Sequence, residues 1–148
     1  MSQPQQINNR RSAFTLVELA VVIVIIGVLA AFGVPRLLQS VERAKAAEAF
    51  AYLTSVRSAQ ERYQARQGTY TIDLTQLDVE LGTPKYFSVG TVAAGSTSNL
   101  ENSWTLTLTR LAGSSGYGTY TVIFNQDGFD PTSGIATGVA AAVNPMGS

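Results

Sequence analysis

Hydrophobic and polar positions divide the chain into three stretches of different period. From Phe14 to Val34 the residues are apolar almost without interruption, and Glu18 is the single charge in these 21 positions. At about 1.5 Å per residue, a helix of that length covers roughly 30 Å, the hydrocarbon thickness of a bilayer. From Arg36 to about Arg66 the pattern changes. Leu37, Leu38, Val41, Ala44, Ala47, Phe50, Ala51, Val56, Ala59 and Tyr63 recur at steps of three and four, with Glu42, Arg43, Lys45, Glu48, Arg57, Glu61 and Arg62 mostly between them. This predicts an amphipathic helix with one apolar stripe. Pro35 removes a backbone donor and kinks a helix without having to end it. Residues 14–35 and 36–67 therefore read as two halves of one helix, on the order of 80 Å long, with Gly68 as its C-terminal cap.

Beyond Gly68 the period shortens to two. Residues 68–84 read as a loop with a short helical turn around Leu74 to Leu77, and Lys85 to Ala93 is β-prone. Trp104, Leu106 and Leu108 alternate with Thr105, Thr107 and Thr109, and Tyr120, Val122 and Phe124 alternate with Thr121 and Ile123, the period of half-buried strands. Gly/Ser-rich breaks at 95–98 and 113–118 separate them, and Asp127-Gly128 signals a turn. The Gly/Ala-rich tail after Pro131 has no periodic signal and reads as weakly structured. The expected fold is α+β, with residues 68–148 as loop plus β region. The helix should lay Phe50, Val56 and Tyr63 against the Trp104, Leu106 and Leu108 face of a small antiparallel sheet of three or four strands. Glu42, Arg43 and Glu48 read as a solvated helix face, with pairing to neighbouring copies as the alternative.

Composition narrows the functional classes. The 148 residues suit one compact domain, and the formal net charge is zero with 14% of residues charged, unlike a basic nucleic-acid-binding protein. The charge is unevenly spread: residues 1–13 form a polar leader whose charges are Arg10 and Arg11. Basic residues on that flank of an apolar span favour a cytoplasmic N-terminus. There is no cysteine and no histidine. That removes disulfides, thiolate nucleophiles and the commonest neutral-pH acid–base group. The serines and threonines have no histidine base, so a hydrolase is unsupported, and the expectation is a protein that is not an enzyme.

The informative chemistry sits at the start of the apolar run. A carboxylate in such a run costs several kcal/mol unless paired or solvated, so Glu18 either marks the membrane interface or meets a cation. Cleavage between Ala13 and Phe14 would supply one, a free α-amino group four residues earlier. Arg10-Arg11-Ser12-Ala13-Phe14-Thr15-Leu16-Val17-Glu18-Leu19, the run Val22 to Ala31 and then Pro35 resemble the class III signal sequence of type IV prepilins and type II secretion pseudopilins. The match is strong over residues 10–36 and looser to about residue 87.

The resemblance implies a pilin-like fold and a precursor cut after Ala13 by a prepilin peptidase, with N-methylation at Phe14. It implies that Glu18 guides subunit docking, and that Gly27 and Pro35 mark places where the helix loosens in the filament. The implied partners are other copies of the chain, in a helical homopolymer, and an inner-membrane assembly machinery. The implied location is the inner membrane before assembly, then an extracellular pilus or a periplasmic pseudopilus. Ala13 departs from the family's usual Gly before the cut, which implies slower processing.

Three other readings compete. Ala31-Phe32-Gly33 resembles a small-x-small signal peptidase site, which would release a soluble binding domain starting near Val34. Against it, Glu18 interrupts the apolar core and the amphipathic helix follows directly. An enzyme anchored by one span is the second. The third concerns a cofactor: none is expected, but Asn125, Asp127 and Asp130 are oxygen-bearing calcium candidates in a loop that also reads as a plain turn.

Overall fold

A computed structural model of the chain describes residues 14–80, 82–113 and 116–147. The basic leader 1–13 lies outside the described residues. The chain divides into two compact units between Arg36 and Leu37. One helix, α1 (Leu16–Gln67), contributes to both, with Pro35 inside it. Gly68 ends α1 at φ 78°, and its N–H donates to Gln64 O at 2.7 Å. This left-handed cap suits a residue without a Cβ.

In the second unit α1 packs on an antiparallel sheet of β1 (Phe87–Val89), β2 (Ala93–Ala94), β3 (Trp104–Arg110), β4 (Thr121–Asn125) and β5 (Gly128–Phe129). The order is β1-β3-β4-β5, with β2 also pairing β3. Five strands replace the expected three or four because β2 and β5 are two-residue pieces, too short to show a period. The β-prone run 85–93 is one sequence signal but two strands. Gly90 N–H donates to Thr107 O at 3.0 Å, and a Cβ at Gly90 would stand 2.7 Å from that oxygen. The Asp127-Gly128 signal corresponds to the β4–β5 hairpin, where Gly128 takes φ 116°.

The α+β core follows the alternation in the sheet. Trp104, Leu106, Leu108, Tyr120, Val122 and Phe124 are buried, and they share one cluster with Phe50, Leu53, Val56 and Ala59 of α1. Phe50 stands edge-on to Phe124 with ring centroids 5.6 Å apart, and Tyr63 packs on the cluster's margin. The helix stripe is rotated from the expected one. Its buried face runs Glu42, Ala46, Ala49, Leu53, Val56 and Gln60, while Leu37, Leu38, Val41, Ala44, Ala47 and Ala51 are exposed. Glu42 and Gln60 look like surface residues in the pattern, but each finds its partners on a distant segment.

Glu42 corrects the sequence reading most. It is fully buried. Its Oε1 accepts from Arg110 Nε at 2.6 Å and from the Tyr120 hydroxyl at 3.0 Å, and its Oε2 accepts from Arg110 Nη2 at 3.2 Å and Lys45 Nζ at 3.3 Å. Arg110 Nη1 donates to the carbonyls of Leu111 at 2.7 Å and Tyr86 at 3.2 Å. The Glu42 hydrogen bonds push the Arg110 guanidinium further up, so its charge is fixed. Burial, with Glu42 beside it, pushes the Tyr120 hydroxyl well above the ordinary phenol range. Arg43 does stay exposed, reaching Pro145 O at 3.4 Å. Glu48 is half-buried and accepts from Lys85 N at 3.0 Å.

The tail is also structured, contrary to its composition. Short 3-10 turns at Gly134–Ala136 and Gly138–Val143 bury Ile135 and Val143 completely. Ser133 Oγ accepts from Ile123 N at 2.8 Å, and Gln39 Nε2 donates to Ala142 O at 2.9 Å. Two apolar side chains among small residues give no local period, yet both fill the core.

The loop after α1 holds the expected helical turn, a 3-10 turn at Leu74–Gln76, and side chains pin it. Buried Gln60 brackets Thr71, donating to its carbonyl at 2.7 Å and accepting from its N–H at 3.0 Å. Arg62 forks onto Asp78 at 2.9 and 3.1 Å, and Tyr63 donates to Gln76 at 2.8 Å. Asp73 Oδ1 caps the turn by accepting from Thr75 Oγ1 at 2.7 Å and Thr75 N at 2.9 Å.

Two predictions follow from these networks. Glu42→Ala strands the Arg110 charge in the core and should destabilise the detergent-solubilised chain by about 3–5 kcal/mol. Arg43→Ala should change stability by less than about 0.5 kcal/mol; equal urea midpoints for both variants would contradict this. The hydrogen bonds from Thr75 hold the Asp73 carboxyl below the ordinary range, and those from Arg62 do the same for Asp78. Folded values below the unfolded ones stabilise the loop above the ordinary carboxylate range of about pH 4, and that contribution is lost as pH falls through the folded values. Exchange protection of the Thr71 and Thr75 amides should therefore hold between about pH 5 and 7 and decline below about pH 4.

Candidate assembly site at the N-terminal helix

The first unit presents an apolar helix that the described chain leaves uncovered. Its most apolar window has a mean hydropathy of 2.8 and none of it is buried, and by length and composition α1 can cross a membrane. Phe14 is 75% exposed and Leu16 is 87% exposed. A Cβ placed on Gly27 or Gly33 would meet nothing within 4 Å, so no steric need within the described chain explains either glycine.

Glu18 sits one turn into this helix, and the structure gives it a partner that the sequence reading missed. Thr15 and Glu18 form a reciprocal capping box. Thr15 Oγ1 accepts from Glu18 N at 3.2 Å, while Glu18 Oε2 accepts from Thr15 N and Thr15 Oγ1, both at 2.9 Å. Leu19 N closes the first helical bond to Thr15 O at 3.2 Å. The signal was present in the chain: Thr-x-x-Glu before an apolar run is the sequence form of this cap. The negative charge also lies where the helix dipole favours it. Both side-chain bonds use Oε2, which leaves Oε1 directed to no described residue.

Cutting before Phe14 would leave this cap intact, because the Thr15 N–H belongs to the Phe14–Thr15 peptide. Ala13, on the other side of that bond, lies outside the described residues. Phe14 lies ahead of the cap, and Pro35 lies inside α1 at the far end of the apolar run.

The calcium candidates lie in the second unit and are occupied locally. Asn125 Oδ1 accepts from Asp127 N at 2.9 Å, and Asp130 Oδ1 accepts from Thr132 N at 2.8 Å and Thr132 Oγ1 at 2.7 Å. Asp127 Oδ2 accepts from Gln126 Nε2 at 2.8 Å. Asn125 and Asp130 line one cleft with Thr105 and Gln126; Asp127 does not line it. Among the described residues, no three His, Cys, Asp or Glu side chains are placed to hold a metal ion.

The family described as the prokaryotic N-terminal methylation motif matches residues 8–34, the segment that holds the capping box and most of the apolar run. Residues 8–34 thus carry the prokaryotic N-terminal methylation motif, ahead of an α+β fold of pilin-like form. The chain is 39% identical over 88 residues to the type IV wide pilus major component PilA4 of Thermus thermophilus, which covers 57% of this chain and 66% of that protein. It is 50% identical over 50 residues to the narrow pilus major component PilA5 of the same organism, covering 34% of this chain and 43% of that one. It is 35% identical over 75 residues to the type II secretion system core protein G of Aeromonas hydrophila, covering 51% and 52%. The chain thus spans less than two thirds of the length of each of these relatives.

Removing the Thr15 side of the box should loosen the helix start. Thr15→Val should cost about 1 kcal/mol of local stability, read in detergent as faster amide exchange at Glu18 and Leu19 and unchanged exchange beyond Val24. Uniform exchange across both regions in the variant and the parent would show that the cap carries no such energy.

Proposed function

We propose that this pilin-like chain is made as a precursor, cleaved after Ala13, N-methylated at Phe14 and polymerised through its N-terminal helix into a type IV pilus or related filament. The observation that carries this is the uncovered apolar run with one carboxylate at its capped tip. Such a surface needs lipid first and other copies of itself afterwards. Before assembly the run anchors the chain in the inner membrane, with the Arg10-Arg11 end cytoplasmic. A prepilin peptidase and an inner-membrane assembly machinery are the expected partners. Lipid and a bundle of helices are equally apolar, so the transfer gains little hydrophobic free energy. Specificity then falls to close packing, to which Gly27 contributes small size, and to Glu18. There, Oε1 is available to the α-amino group of a neighbouring Phe14 while Oε2 keeps the cap. Gly27 and Pro35 are the places where helix propensity and backbone hydrogen bonding are lowest. The likeness to core protein G supports a second reading, a pseudopilin in a type II secretion system.

Two measurements decide this. Mass spectrometry of the mature chain should find methyl-Phe14 at the N-terminus; a start near Val34 would establish a conventional signal peptide instead. Glu18→Gln keeps an acceptor for the capping box and removes the charge, whereas Glu18→Ala removes both. Docking by charge requires both variants to give a membrane-resident mature chain with few filaments. Parent-like filament yield from Glu18→Gln would reduce Glu18 to a capping residue. Imaging purified surface filaments, with this chain as their bulk component, separates the pilus from the pseudopilus.

A further inference from the structure

The second unit carries two exposed patches of opposite character, and we infer that they are the two halves of a head-to-tail contact between copies of this chain. The acidic loop 72–80 of one copy enters a basic-rimmed apolar cleft on the next. This rests on the filament reading and assigns it a second contact, separate from the apolar helix.

The cleft is lined by Leu38, Val41 and Leu111, 44%, 44% and 46% exposed, beneath Lys45, Lys85 and Tyr86. Three cations crowd the Tyr86 ring: Lys45 at 5.2 Å, Arg110 at 5.6 Å and Lys85 at 5.7 Å from its centroid. Glu42 neutralises part of this charge from below, and Glu48 accepts from the Lys85 backbone. Three bases against two acids leave the cleft positive. Among the described residues, the Lys85 ammonium forms no ion pair. Stacking on the ring fixes it without neutralising it.

The loop has the complementary features. Asp73, Asp78 and Glu80 outnumber the nearby bases Arg62, which pairs with Asp78, and Arg66, and Ile72 at the start of the loop is 62% exposed. Among the described residues, Glu80 forms no ion pair. The Gln60 bracket, the Arg62 fork and the Asp73 cap hold the loop in one shape, so little ordering entropy is lost when it docks. An exposed isoleucine beside a fixed acid, with two more acids in the same loop, suits an apolar floor rimmed by lysines.

The occupant has to be another copy. On α1 the cleft uses Leu38, Val41 and Lys45, and the loop is pinned beside Ser55, Ser58 and Arg62. The two sets are 17 positions apart, about 25 Å along the helix, and Gln60 at Thr71 and Arg62 at Asp78 hold both ends of the loop beside the far set. Two different patches that complement each other make a heterologous contact. Such a contact propagates as an open filament unless the rotation closes a ring.

The charges allow a test in trans. Lys85→Glu and Glu80→Lys are both at exposed positions. Expressed alone, each should leave folding intact and cut filament yield by about tenfold. Co-expressed, the two variants should restore it, because alternating copies re-pair both contacts. A pairing of positions 80 and 85 within one chain would stay broken in each variant, so recovery on co-expression reports a contact between chains. The cysteine-free sequence permits a second readout, with Glu80→Cys and Lys85→Cys on separately tagged chains. These should form a disulfide-linked pair of the two tags, and two Lys85→Cys chains should not. Parent-like filaments from both charge variants, or single-variant defects that co-expression leaves unrepaired, would overturn the contact while leaving the filament reading in place. A cross-link in membranes without any filament from the parent would keep the contact and overturn the filament reading. Neither filament nor cross-link would overturn both.

Discussion

The governing constraint on this chain is an apolar helical surface that the described residues leave uncovered. Between Leu16 and Val34 the side chains are exposed and the only charge is the capping carboxylate. Water is a poor lasting environment for such a surface: at roughly 25 cal/mol per Å², a few hundred Å² of it rivals the marginal stability of a small domain. The described residues supply no cover; lipid or other helices would. Both are apolar, so the helix can move from one to the other at small free-energy difference. The proposed passage from anchor to polymer uses that near-equality.

Glu18 shows how a polar group is tolerated at the edge of this surface. One carboxylate oxygen satisfies two donors of Thr15, and the whole group sits at the positive end of the helix dipole. The cost of a charge beside an apolar run is thereby reduced before any neighbour arrives. The same arrangement leaves the second oxygen out of the cap. The proposed docking role of Glu18 therefore draws on a different atom from the one that stabilises the helix start.

The second unit solves the opposite problem. Its core is small and has no disulfide to help it, so the orientation of helix on sheet must be fixed by something more directional than apolar area. Glu42 supplies this. It accepts two bonds from Arg110 at the end of β3 and one from Tyr120 beside β4, with Lys45 on the same oxygen pair. A rotation of α1 by one residue would pull that carboxylate away from all of them. The pair explains why the apolar residues Leu38 and Val41 are left outside while a glutamate is inside.

The sequence alone determined the elements that depend on local pattern. These are the apolar run with its single acid, the amphipathic continuation, the alternating strands at Trp104–Leu108 and Tyr120–Phe124, the Gly68 cap and the Gly128 turn. Each is written in neighbouring residues, and the capping box at Thr15 and Glu18 was equally readable there. Tertiary structure decided what depends on partners far along the chain. The helix stripe rotated because Glu42 and Gln60 meet Arg110 and Thr71, and hydrophobic periodicity cannot see a buried polar residue whose partner is 68 positions away. Residues 85–93 split because Gly90 lies against the Thr107 carbonyl. The Gly/Ala tail became part of the core through Ile135 and Val143, two side chains whose burial is a matter of where β4 and α1 leave space rather than of any local rule.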